Sequence, residues 1–193
     1  MSRDLAFACV CGKVSGTLAP AKPATYGLHV LCHCRDCRAV VRHLSGRNED
    51  AADLLLVTPR QICILDGMEH VRSLNLSPRG GHRVYAACCG THLCNTPRKR
   101  QMPFASVRVD TLVGADVLGP VRADSFRQPP VTPKHKGLWR MVRHIATGAV
   151  AAHLNGSWRE TPFFRADGRF KLPVDLIDKE AKRTAYADEP LRR

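Results

Sequence analysis

A chain of 193 residues suits one domain with a sizeable core, and 44% hydrophobic with 24% charged residues exclude wholesale disorder. No run of about 18 apolar residues occurs, which excludes a helical membrane span. The net charge of +13 predicts attraction to polyanions or small acidic ligands and carries no information about fold.

Strand-like stretches dominate the first two thirds. Leu5–Val10 and Lys13–Leu18 flank a first pair of cysteines, and Leu28–Leu31 leads into a second cluster. Arg35–Leu44 has Val40, Val41 and Leu44 on one face and stops at Ser45-Gly46, the pattern of a short helix. Gln61–Leu65, Val71–Leu76 and His82–Ala87 follow as strands. Asp66-Gly67 and Pro78-Arg79-Gly80-Gly81 bound them, turn signals of the kind that join antiparallel strands. Ser106–Val109 alternates like a half-buried strand. Ala51–Val57 and Ile145–Leu154 are the longest apolar stretches, broken by Asp53 and His153.

The composition shifts at Gln128-Pro129-Pro130-Val131-Thr132-Pro133, which reads as a linker. The expected organisation is a zinc-binding β domain over 1–127, the linker at 128–133, and a basic, partly helical extension over 134–193 packing on the domain. Within it, Gly137–His153 reads as a basic amphipathic helix that packs on the domain or meets a membrane surface or partner. Asp175–Ala185 reads as another short helix. Met1-Ser2-Arg3-Asp4 lacks the apolar stretch of a secretory signal, so a cytoplasmic location is expected.

Nine cysteines narrow the chemistry further: Cys9, Cys11, Cys32, Cys34, Cys37, Cys63, Cys88, Cys89 and Cys94. An odd number in tight local clusters fits metal ligation better than a disulfide framework. In Cys32-His33-Cys34-Arg35-Asp36-Cys37, three thiolates within six residues can converge on one soft-ligand metal, zinc or an iron–sulfur cluster. Cys9 and Cys11 with Cys88 and Cys89 can form a closed four-ligand zinc site, leaving Cys32, Cys34 and Cys37 as a three-ligand site with an open position. Gly90 follows Cys89 as Gly12 follows Cys11, which makes Cys89 the expected main ligand and Cys88 the secondary one. His33 and His92 are alternative ligands or proton carriers. Asp36 either orients a ligand or caps the following helix. Cys63 and Cys94 read as buried thiols, and Arg98-Lys99-Arg100 as a solvated loop.

The order C-x-C-G, then C-H-C-x-D-C, then an R-x-aromatic run ending in C-G, resembles the glutathione-dependent formaldehyde-activating enzyme (GFA-like) family over about residues 5–112. Here it reads Cys9-Val10-Cys11-Gly12, Cys32-His33-Cys34-Arg35-Asp36-Cys37 and Arg83-Val84-Tyr85-Ala86-Ala87-Cys88-Cys89-Gly90-Thr91. The resemblance implies a mainly β fold, a zinc-binding β-tent of antiparallel sheets. It implies a structural zinc and a second zinc on Cys32, Cys34 and Cys37 near a thiol substrate. It also implies carbon–sulfur lyase chemistry on an adduct such as S-hydroxymethylglutathione. The ligand roles of Cys9, Cys11 and Cys89 match the family position by position, whereas Cys88 is drawn in only as the neighbour of Cys89. The family's third motif is C-x-x-C-G; Ala86 stands at its first cysteine, closer to an uncharacterised branch.

The implied cofactor is zinc, one or two ions, and the implied partner a small acidic thiol such as glutathione. The alternative is a zinc-stabilised, non-catalytic module that binds nucleic acid or protein through its basic surface. Aromatic content of 6%, with no basic stretch interleaved with aromatics, argues against nucleic acid. A redox-sensing thiol protein is a third class.

Overall fold

A computed structural model describes residues 3–22, 25–128 and 131–187. Pro129 and Pro130 of the expected linker lie outside the described residues, as do Met1, Ser2 and 188–193.

Strands β1 (Leu5–Ala8) and β2 (Ser15–Leu18) form a hairpin whose turn is the Cys9–Gly12 motif. Then come β3 (Leu28–Cys32), α1 (Arg35–Ser45), β4 (Ala52–Val57), β5 (Ile62–Asp66) and β6 (Val71–Asn75). Next are β7 (His82–Ala86), β8 (Thr91–Thr96), β9 (Ala105–Arg108), β10 (Ala123–Ser125) and β11 (His135–Lys136). The C-terminal part holds α2 (Leu138–Leu154), β12 (Val174–Leu176) and α3 (Lys179–Tyr186).

The architecture is mainly β, in two sheets. Strands β1, β2 and β5 make a small antiparallel sheet, and nine strands in the order β11-β10-β3-β4-β9-β8-β7-β6-β12 make the large one. The small sheet closes tightly: a Cβ at Gly16 would sit 2.1 Å from the Cys63 carbonyl and 2.4 Å from the Phe7 ring, so only glycine fits there.

Two expectations are corrected. The sheets are not wholly antiparallel, because β10 pairs with β3, and β12 with β6, in parallel. Each of these strands returns after a long stretch of chain, which removes the hairpin constraint that forces antiparallel pairing. Asp66-Gly67 is a sharp turn, with Gly67 at φ 73°, but the strands on either side belong to different sheets. The Pro78–Gly81 turn does join an antiparallel pair, β6 and β7.

Helix α1 ends where the sequence predicts. Gly46, at φ 69°, returns its N–H to the Arg42 carbonyl, a left-handed cap that glycine adopts without strain. Three apolar clusters hold the layers together. Leu5, Phe7 and Leu18 of the small sheet meet Leu55, Val84, Leu93 and Val107 of the large one, with Phe163, Phe164 and Leu172 added from the C-terminal part. Ala39 and Val40 of α1 pack against Leu74, Leu76, Ile177 and the α3 residue Ala185. Val30, Leu54, Leu56 and Cys37 pack together under Met141 and Ile145 of α2. The residues after 134 thus supply strands β11 and β12 and a fully buried phenylalanine, Phe163.

Candidate metal centres

Four thiols from two hairpin turns meet at one point. Cys9 and Cys11 sit in the β1–β2 turn, and Cys88 and Cys89 in the β7–β8 turn; the four Sγ atoms lie within 4.8 Å of one another. Gly12 and Gly90 follow these turns at φ 76° and 71°, the left-handed region open to glycine. At Gly90 any side chain would also strike the Leu44 carbonyl at 2.2 Å.

The spacing fits a tetrahedral ion. Zinc–thiolate bonds of about 2.3 Å place tetrahedral sulfurs about 3.8 Å apart. Cys9 Sγ lies 3.5 Å from Cys11 Sγ and 3.9 Å from Cys88 Sγ; Cys11 to Cys88 is 3.3 Å and Cys88 to Cys89 is 3.9 Å. All nine cysteines are free thiols. The Val14 N–H donates to Cys9 Sγ at 3.3 Å, and Thr91 Oγ1 stands 3.0 Å from Cys89 Sγ, the hydrogen bonding that stabilises thiolates. Thr91 also ties the two turns together, accepting from the Val10 N–H at 3.1 Å.

Cys88 is a full member of this group. It lies within reach of both Cys9 and Cys11, and Cys89 belongs to the same group while also meeting Thr91. The parallel of the two glycines fixes the two backbone turns and does not rank the two sulfurs.

The second group is local. Cys32 ends β3, Cys34 is the N-cap of α1, and Cys37 lies in its first turn; their sulfurs again fall within 4.8 Å of one another. The Cys37 N–H donates to Cys34 Sγ at 3.4 Å, so a thiolate takes the capping role more often filled by Ser or Asp. Asp36 is therefore not the cap. Its carboxylate accepts from the Tyr186 hydroxyl at 2.6 Å and lies 3.7 Å from the Arg83 guanidinium. Hydrogen bonds from the Cys32 and Cys37 thiols, aided by the Arg83 charge, hold Cys34 well below the ordinary thiol range, to about 2. Hydrogen bonding to that thiolate pushes Cys32 up to about 11, and the same contacts to Cys32 and Cys34 raise Cys37 well above the ordinary thiol range. Three crowded sulfurs, with Cys34 favoured as the thiolate, could hold a cation.

The remaining candidates sort cleanly. The His33 ring has Nδ1 3.1 Å from the Asp50 carbonyl and Nε2 2.8 Å from the Asp124 carboxylate, and it is not among the side chains whose ligand atoms cluster with the trio. His92 is buried on β8 beside Asn95, and burial with the nearby Arg108 charge pushes it down to about 3. It belongs to neither thiol group. Cys94 is buried, as expected, but Cys63 is exposed on β5, a correction. Its strand lies in the small sheet, which leaves that face open to solvent. Arg100 is tied down rather than solvated, donating to the carbonyls of Arg165 and Ala166 with its guanidinium 4.9 Å from the Trp158 ring. The sequence reading missed Tyr186, the Asp36 partner, because 150 residues separate them.

Residues 1–137 match the model of a family of unknown function, DUF6151. The chain belongs to that family. The match takes in all nine cysteines and ends just before α2. No curated protein matches. Among solved structures, a crystal structure of a Rhodobacter sphaeroides protein, a structural genomics target, is similar at 19% identity with a TM-score of 0.45. The likeness covers 60% of this chain and 96% of that one, and at that score it carries no argument.

Proposed function

We propose that this DUF6151 protein binds zinc at both thiol groups, and that the three-thiol site receives a small acidic thiol and makes or breaks a carbon–sulfur bond on its adduct. The observation that supports this reading is the difference in donor number: four thiols in one group, three in the other, with no further His, Cys, Asp or Glu in the second among the described residues. A zinc ion on three thiolates would offer a fourth, Lewis-acidic position at which an incoming thiol is kept deprotonated.

The surrounding residues suit an acidic ligand. Arg83 is mostly buried, its Nε has no hydrogen-bond partner among the described residues, and its charge acts on Cys34. A guanidinium so placed can take a carboxylate in a two-point contact. Tyr186 and Asp36 hold each other at the mouth of the helix and thereby fix the end of α3 against α1. Arg35 reinforces that contact, donating to the Tyr186 carbonyl at 3.2 Å.

Calorimetry with glutathione tests the reading on protein whose zinc content has been measured. Zinc-loaded wild type is expected to bind at millimolar concentration or better, and Cys34→Ser to lose that binding. No heat at millimolar glutathione from the zinc-loaded wild type leaves a zinc-stabilised scaffold and overturns the proposal.

A further inference from the structure

Helix α2 is apolar on two sides. Its inner residues Met141 and Ile145 pack on the cluster around Val30, Leu54 and Leu56, and Ala152 is buried. At about 100° per residue, Trp139, Val142, Ala146 and Val150 fall on the opposite side, with Leu154 at the far end. These outer residues are bare: Trp139 is 75% exposed, Val150 58% and Leu154 84%. The stripe runs about 22 Å along the helix. Single exposed apolar side chains need no explanation, but an aligned row headed by a tryptophan does.

The charge around the row says what covers it. Helix α2 contains no Asp or Glu. Arg140 stands exposed on one flank and Arg143 within the row, at the angle between Val150 and Leu154, and neither makes an ion pair among the described residues. Lys134 and Lys136, also exposed, precede the helix. A symmetric contact between two copies would face these cations with more cations, because α2 has no acidic residue to receive them. An anionic lipid surface receives both parts of the face: the apolar row enters the boundary between headgroups and acyl chains, and the arginines meet the phosphates. A tryptophan at the end of the row suits the polar–apolar interface.

We infer that α2 lies in the plane of an anionic lipid surface, with Trp139, Val142, Val150 and Leu154 inserted and Arg140 and Arg143 on the headgroups. The face is separate from both thiol groups, so the inference stands apart from the proposed chemistry.

The test uses the full chain with Trp158→Phe, so that Trp139 is the single fluorophore. Vesicles of phosphatidylcholine are compared with vesicles that also contain phosphatidylserine. The protein is expected to sediment with the anionic vesicles, with a blue shift of Trp139 emission, and to release as salt rises. Val150→Asp is expected to weaken the binding about tenfold or more. Its melting temperature should match wild type, because Val150 packs on little. No binding to anionic vesicles, or equal binding by Val150→Asp, overturns the inference. A wild-type dimer in sedimentation velocity that Val150→Asp dissociates would overturn it in favour of a self-contact.

Discussion

The two thiol groups use the same ligand but are built on different scales. The trio comes from six consecutive residues at one strand end and helix start, and its geometry is set by the local backbone. The group of four joins the β1–β2 hairpin of the small sheet to the β7–β8 hairpin of the large one, across 79 positions between Cys9 and Cys88. Loop closure grows as (3/2)RT ln n, so a metal link over that span restricts the unfolded chain by about 2 kcal/mol more than one within the trio. An ion in the group of four would therefore bear on the fold, whereas on the proposed reading one in the trio would act on a ligand. Clusters of the same residue type and similar size thus differ in what they connect.

Removing one ligand from each group tests the contrast most directly. Cys11→Ser is expected to destabilise by more than about 3 kcal/mol, with loss of one metal equivalent. Cys34→Ser should also lose one equivalent but cost less than half as much, and a strong chelator should reproduce the larger effect in wild type. Matched denaturant melts with metal analysis give the order, and equal costs would erase the distinction between a link and a local site.

Within the group of four, Cys88→Ser is expected to destabilise at least as much as Cys89→Ser, because Cys88 Sγ lies 3.3 Å from Cys11 and 3.9 Å from Cys9. A clearly larger loss for Cys89→Ser in the same melts would restore the ranking that the glycine pattern implies.

The smallest effect lies away from both groups and serves as a control. His82 stacks on Phe170 with ring centroids 3.5 Å apart and sits beside Ser73 and Asn75. Burial, then the charges of Arg98 and Arg83, push it down to about 4. The unfolded chain takes up this proton near pH 6.5 and the folded one only near pH 4. The contribution of His82 to stability is thus full above about pH 6.5 and falls as the pH drops toward 4. NMR titration of the His82 ring should show a midpoint near or below about 4.5; a midpoint above 6 would mean the ring is solvated and the stack loose.

Some of this architecture was legible without coordinates. The strands flanking the first cysteine pair, the helix ending at Gly46, and both thiol groupings follow from alternation, a left-handed cap and residue spacing. Strand β4 was less legible as a strand, because Ala52–Val57, paired on both sides by β3 and β9, is largely buried and reads as a plain apolar run rather than an alternating one. The short strands β10, β11 and β12 carry too few residues to show any period.

What the sequence by itself determined is the local chemistry: which thiols cluster, where glycine must turn the chain, and that the protein is mainly β with a helical C-terminal part. Those features depend on neighbours a few positions apart. Only the tertiary structure decided how the two hairpin turns bring their sulfurs together across the two sheets, that the His33 ring lies between the Asp50 carbonyl and Asp124, and that Tyr186 closes on Asp36. It also decided which side of α2 is bare, since both sides are apolar and periodicity alone cannot say which one the sheet covers. These are long-range contacts, fixed by packing and sheet order.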